Sequence, residues 1–237
     1  MTTHHPTSLL ARMRVRLPRL RWAMRQALKL SPAKGDIYYG DTAALYEAER
    51  ARTGRWQREH QAVETFLERL PRELTVLDVP LGTGRFIELY QARGHRVSGL
   101  DASQEMVAIA TGRAGDGNIE AVTGDATRLP WPDGSFDLVV STRFLRHILP
   151  FAQAKQALGE MARVCRGHAI IEIGSTTGRS RWPSENKPMR DRLNREDIVA
   201  LFRQHGFAIE DEVQTLTRLI NRRRSVFLLR RVEGGTG

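Results

Sequence analysis

Two hydrophobic rhythms take turns along residues 72–237. Short apolar runs at 75–79, 96–100, 119–123, 136–141 and 168–173 have the length and β-branched content of buried strands. Among them, apolar residues recur every three or four positions at 85–93, 103–111, 152–164 and 195–205, the spacing of one helix face. Two more strand-like stretches, 208–215 and 225–229, follow with only 216–223 between them. Strands alternating with helices predict right-handed crossovers and an α/β fold, a doubly wound, mainly parallel sheet of seven strands with helices on both faces. Two strands in direct succession at the end predict an antiparallel hairpin at one sheet edge.

Upstream the pattern changes. Residues 1–35 read as a basic extension, 36–71 as a helical lid segment, and 72–237 as the α/β domain. In the extension, Pro18 opens a helical pattern in which Leu20, Ala23, Met24, Ala27 and Leu28 share one side. Charge sharpens the division. The net +10 of the chain is concentrated at its ends: residues 1–35 carry eight basic residues and no acid, and residues 216–237 carry a net +5. Residues 36–215 are left at −3. A basic amphipathic stretch over residues 10–34 fits peripheral contact with an anionic membrane or with RNA, and equally a solvated tail or a helix docked on the body. No apolar run approaches the length of a membrane span, so the expectation is a cytoplasmic protein, membrane-peripheral at most. Cys165 is the only cysteine, which excludes intramolecular disulfides and cysteine-clustered metal sites; no metal is expected.

In a doubly wound sheet, ligands bind outside the carboxyl ends of the strands. The segment that leaves the first strand is Asp78-Val79-Pro80-Leu81-Gly82-Thr83-Gly84, where two glycines allow positive φ and close backbone approach to a ligand. A dinucleotide fingerprint requires a third Gly or an Ala three residues on, and Ile87 stands there. Asp78 just before the turn would repel a pyrophosphate and favour a ligand with an amino group. Asp101 ends the second strand, where a carboxylate can accept both hydroxyls of a ribose, and Asp125 follows the third, within reach of an adenine amine. Each acid has an alternative role as a turn or helix-capping residue.

On these segments the chain resembles the class I, Rossmann-like methyltransferases, and within them the type 11, UbiE-like small-molecule group. The likeness runs over about residues 72–175 and includes Gly99-Leu100-Asp101-Ala102-Ser103, Met106, Gly124-Asp125-Ala126 and Phe136-Asp137-Leu138-Val139-Val140. It implies S-adenosylmethionine as cofactor. Asp78, Pro80, Gly82 and Gly84 would then surround its methionine part, Asp101 and Ala102 its ribose, and Met106, Asp125 and Ala126 its adenine. Pro80 stands where the family usually has glycine, and Cys165-Arg166-Gly167 replaces the usual Pro-Gly-Gly before the fifth strand. Tyr38, Tyr39, Tyr46 and Arg50 resemble the family's N-terminal lid, with Tyr39 as a cofactor contact. His147, in the segment after the fourth strand that would face the transferred methyl group, is the candidate general base, or else a packing histidine. Trp56, Trp131 and Trp182 are read as packing residues, with an acceptor pocket as the alternative.

Absences narrow the acceptor. Ser141-Thr142-Arg143-Phe144 is not the Asn/Asp-Pro-Pro-Tyr of adenine and glutamine methylation, and Cys165 is misplaced for a cytosine nucleophile. The four lysines, Lys29, Lys34, Lys155 and Lys187, do not compose the Lys-Asp-Lys-Glu set of ribose methylation. The expectation is methyl transfer to a small-molecule or lipid-like acceptor. The alternatives are an enzyme acting on RNA or a ribosomal component, and a non-catalytic cofactor-binding or scaffold protein.

Overall fold

The computed structural model describes residues 54–115, 117, 119–145, 150–189, 193–218 and 222–232. Its elements run α1 (Gly54–Arg69), β1 (Thr75–Asp78), α2 (Ile87–Ala92), β2 (Arg96–Asp101), α3 (Gln104–Ala114), β3 (Ile119–Thr123), β4 (Phe136–Ser141), α4 (Phe151–Val164), β5 (Cys165–Thr176), α5 (Arg195–Gln204), β6 (Phe207–Arg218) and β7 (Arg222–Arg231). The expected class is found: one seven-stranded sheet in the order β3-β2-β1-β4-β5-β7-β6. The pairs from β3 to β5 are parallel, and β7 runs antiparallel between β5 and the edge strand β6.

Because side chains alternate across a strand, each strand supplies both layers of the core. Leu77, Val79, Val139, Ala169, Ile171, Phe227 and Leu229 face α4 and α5, joined there by Leu158, Met161, Ile198 and Phe202. Val76, Leu138, Val140, Ile170, Val226 and Leu228 face the other way, onto Ala62, Val63, Phe66 and Leu67 of α1 and Tyr90 of α2. Helix α1 is therefore a layer of the fold. Helix α3 packs Ala110 and Ala114 against Leu81 and Ile87, which holds the turn after β1 in place.

Local chemistry sets most boundaries. Ser103 caps α3 by accepting the Met106 N–H, and Asn194 caps α5 by accepting the Asp197 N–H. The expected start of the fifth strand is corrected. Residues 165–167 are not a turn, because α4 ends at Val164 and Cys165 is already in β5. Gly167 is required there, since a Cβ would stand 2.5 Å from the Asp137 carbonyl oxygen on β4. At its far end β5 continues through Gly174, Ser175 and Thr176, polar or small residues that pair with Arg224, Arg223 and Arg222.

The ring of Phe66 is fully buried between α1 and the sheet. Phe66→Ala should cost about 3–5 kcal/mol. Urea unfolding followed by far-UV circular dichroism should show this as a lower midpoint of a single transition. A variant that leaves the sheet's transition untouched would show that α1 is not an integral layer.

Candidate active site

The carboxyl ends of β1, β2 and β4 converge on the glycine turn. Val79-Pro80 is a cis peptide, and Gly82 and Gly84 have φ of 58° and 75°. The two glycines are needed for different reasons. A Cβ on Gly84 would stand 2.3 Å from Cδ1 of Ile87, so that position is closed by packing of the turn on α2. A Cβ on Gly82 would meet nothing within 4 Å, so the backbone there borders open space. Ile87, which excluded a dinucleotide fingerprint, fills the core beneath the turn.

Two of the three expected acids meet at this turn. Asp101 uses Oδ2 to accept the Gly82 N–H at 2.8 Å and Oδ1 to accept the Ser103 N–H at 3.0 Å. The carboxylate thus fixes the turn to the end of β2, and its two oxygens together hold more acceptor sites than these two donors fill. Burial pushes its pKa up, against the lowering effect of backbone N–H groups from Ser103, Gly82 and Ala102. Asp78 lies deeper, 2% exposed, and accepts the Tyr90 hydroxyl at 3.1 Å. Its pKa is pushed up to about 8 by burial, with the Asp101 charge adding and the Tyr90 hydrogen bond and Arg85 opposing. Asp125 is exposed, and its Oδ1 accepts both the N–H and the hydroxyl of Thr127 at 2.9 and 2.8 Å, a turn-building arrangement. Ala102 is exposed, Pro80 is half-buried, and Met106 and Ala126 are buried, Ala126 within the core beside Leu129. Tyr38, Tyr39, Tyr46, Arg50 and His147, and the whole extension 1–35, lie outside the described residues.

A buried ion cluster beneath the turn had no signal in the sequence. Glu59 of α1 is fully buried, and its Oε2 accepts from Nε of Arg143 at 2.6 Å and from Arg85 at 3.3 Å. The Arg85 guanidinium also lies over the Trp56 ring, 4.2 Å from its centroid. Arg143 has φ of 58°, a left-handed conformation uncommon for a non-glycine residue. Its backbone N–H is held by Oε2 of Glu172, a carboxylate 1% exposed on β5. The spacing of the four charges, 59, 85, 143 and 172, is why periodicity missed them: each comes from a different element. Beside them, the Ser141 hydroxyl at the end of β4 is buried and has no hydrogen-bond partner among the described residues.

The single cysteine and the three tryptophans have packing surroundings. Cys165 is buried, its thiol donates to the His168 carbonyl at 3.1 Å, and burial pushes its pKa up to about 11, so it is no thiolate nucleophile. Trp56 stacks on His60 at 5.1 Å, Trp131 meets Phe136 edge-on at 5.4 Å, and Trp182 meets Phe151 at 5.7 Å while staying 50% exposed. Among the described residues no cluster suited to a metal ion is present, and no helix is long and apolar enough to cross a membrane.

A sheet of this order, with a glycine turn after β1 and a carboxylate ending β2, is a Rossmann-like, doubly wound domain, a fold whose ligands bind outside the carboxyl ends of the strands. Residues 76–168 match the family model for a methyltransferase domain. The chain is 34% identical over 147 residues to a demethylmenaquinone methyltransferase of Renibacterium salmoninarum, covering 60% of this chain and 58% of that protein. It is 35% identical over 137 residues to ajmaline N-methyltransferase of Rauvolfia serpentina, covering 54% and 45%. The chain thus spans about half the length of these curated relatives. Among solved structures, 1,6-didemethyltoxoflavin-N1-methyltransferase of Burkholderia thailandensis shares the fold with a TM-score of 0.62 at 16% identity, covering 98% of this chain and 94% of that one. Over residues 76–168 the chain is thus similar to methyltransferase domains, and its fold is the one such a solved structure shows.

Two predictions follow from the buried charges. In the folded chain Asp78 keeps its proton up to about pH 8, whereas unfolded it loses it near 3.8. Folding therefore takes up a proton between those values, and this contribution to stability is complete below pH ~4 and lost as pH rises through about 8. Thermal melts should show Asp78→Asn overtaking the parent chain in stability as pH rises to 8.5; parallel pH profiles would mean that Asp78 is ionised in the fold. Glu59→Ala, which strands two guanidinium groups, should destabilise by about 3–5 kcal/mol in urea titration, whereas an exposed acid such as Glu185 changed the same way should cost under about 0.5 kcal/mol.

Proposed function

We propose that this chain is an S-adenosylmethionine-dependent methyltransferase that delivers a methyl group to a small-molecule or lipid-like acceptor by direct displacement. The observation that carries the reading is the pairing of open space at Gly82 with two carboxylates that border the turn, the buried Asp78 and the half-buried Asp101. These residues fit the cofactor. Asp78 offers a buried acceptor to an α-amino group, Asp101 offers its spare acceptor sites to a ribose diol, and Gly82 leaves room for the chain between them. Met106, Ala102, Ala126 and Asp125 lie on the loops and helix that follow β2 and β3, where the adenine would rest. When bound, the cofactor supplies an activated sulfonium methyl group.

The chain's own residues then have three tasks. The first is electrostatic: the Asp78 carboxyl, neutral at pH 7 without ligand, gives up its proton when an ammonium group comes beside it. The second is positional. Arg143 starts the segment after β4, and its hold on Glu59 and Glu172 fixes that segment against the glycine turn, so that donor and acceptor are presented in line. The third is to exclude water, in which the N-terminal segment with Tyr39 and the segment with His147 take part; His147 accepts the acceptor's proton where the acceptor is a hydroxyl or amine. The acceptor class is supported by relatives whose names specify demethylmenaquinone and ajmaline as acceptors, and by the buried, protonated Cys165, which argues against covalent catalysis on a pyrimidine.

Isothermal titration with S-adenosylhomocysteine tests the cofactor site without an acceptor. Binding is expected, tightening as pH rises from 6 to 8.5 with release of a proton in that range. Asp101→Ala should weaken it at least about tenfold, the loss of one or more hydrogen bonds to a charged acceptor. Absence of heat in the parent chain would sink the enzyme reading and leave a scaffold. Affinity unchanged in Asp101→Ala would remove the ribose role alone.

A further inference from the structure

The end of the sheet that carries the glycine turn also gathers a cluster of basic residues. The loop leaving β5 returns to the start of α4: the Phe151 N–H donates to the Lys187 carbonyl at 2.9 Å, Pro150 and Pro188 form a bridge, and Trp182 rests edge-on against Phe151. Beside this loop lies the amino end of β7, because Arg222, Arg223 and Arg224 pair with Thr176, Ser175 and Gly174 at the carboxyl end of β5. Residues 177–189 and 222–224 together hold Arg179, Arg181, Lys187, Arg222, Arg223 and Arg224 against a single acid, Glu185, which is already engaged by Lys155 at 2.9 Å. Arg179, Arg181 and Arg223 are exposed and form no ion pair with a described residue. In their midst Trp182 keeps half its surface in water, the most exposed large apolar side chain described.

We propose that this rim is a membrane-docking surface, which sets the mouth of the site against an anionic bilayer. The inference rests on the methyltransferase reading for what the mouth admits, but the surface itself stands on its own residues. Arg179 and Arg181 on the loop and Arg223 at the end of β7, exposed and without an ion pair to a described residue, suit a diffuse anionic plane better than one phosphate or carboxylate of a bound small molecule. Trp182 adds the second element of an interfacial site: an amphipathic ring that prefers the headgroup level, already held at a fixed angle by Phe151. Docking in this orientation lets an apolar acceptor pass from the bilayer to the turn without crossing water.

The test uses the full chain and vesicles of phosphatidylcholine alone or with about a third phosphatidylglycerol. Sedimentation should show binding to the anionic vesicles only, weakening as salt rises. Each cation near such a surface is worth about a fivefold change in partitioning, so R179E/R181E/R223E should lower it by at least about a hundredfold. Thermal melts and S-adenosylhomocysteine affinity should be unchanged in that variant, which shows that it folds. Lipids with brominated acyl chains should quench tryptophan fluorescence in the parent, and Trp182→Phe should lose most of that quenching. Lack of binding by the parent, equal binding by the triple variant, or quenching that survives Trp182→Phe would each overturn the proposal, the last by assigning the lipid contact to another tryptophan. Single-stranded RNA bound more tightly than vesicles would overturn it in favour of a nucleic-acid partner. Because homocysteine-nucleoside binding is measured separately, failure of docking and failure of the cofactor site are told apart.

Discussion

A carboxylate with no surface in water must be neutralised where it stands, and in this chain that requirement falls on Glu59. Its two guanidinium partners come from opposite sides of the site: Arg85 follows the glycine turn, and Arg143 follows β4. One buried charge therefore ties α1, the glycine turn and the segment after β4 into a fixed arrangement. Glu172 extends the same constraint to β5 and holds Arg143 in a backbone conformation it would not choose alone. Apolar packing would stabilise as well or better, but it would not fix the angle at which two loops leave the sheet. The ion cluster makes those loops follow α1.

The same end of the sheet contains carboxylates of opposite character. Asp101 is satisfied by backbone donors and serves the turn whether or not a ligand is present. Asp78 has one neutral hydrogen bond, to a tyrosine itself buried and raised in pKa, and is left protonated at neutral pH. An ionised, fully paired acid at that place would hold a cationic group less strongly, because its charge would be spent. Low stability at high pH is the cost of an acceptor kept in reserve.

The sheet was legible because its strands are short apolar runs with clear ends: β3 and β4 match their expected limits, and β1 and β2 end within one residue of theirs. Where apolar pattern and pairing part company, reading fails. β5 was expected only over 168–173, yet it begins at Cys165 directly from α4 and continues through Gly174, Ser175 and Thr176, whose strand state is imposed by the arginines opposite them. The helix expected from Arg85 starts at Ile87, since residues between the glycines and α2 complete the turn. Site acids were visible because each ends a strand. Glu59, Arg143 and Glu172 were not, because an ion pair between residues 84 positions apart and a backbone-to-carboxylate hydrogen bond between residues 29 apart leave no trace in local order. Asp125 shows the converse: a visible motif residue whose carboxylate is engaged in its own turn by Thr127.

Net charge misleads for a related reason. The basic tail reads along the chain as one feature, but antiparallel pairing divides β7 between two ends of the molecule. Arg230 and Arg231 come to the end remote from the site and are spent there: Arg230 on Glu210 at 3.0 Å, and Arg231 on the carbonyls of Ala162 and Gly206 at 3.0 and 2.7 Å. Arg222, Arg223 and Arg224 come to the site end, beside the loop with Arg179 and Arg181. Arginines within ten residues of one another thus do different work, structural closure at one end and a positive field at the other. What sets that division is the register of β7 against β5, so a shift of one residue in that pairing would move every arginine to the opposite face of the sheet. The strand register, which the buried Val226, Phe227, Leu228 and Leu229 fix by their alternation between the two core layers, is what makes a charged tail into a charged site.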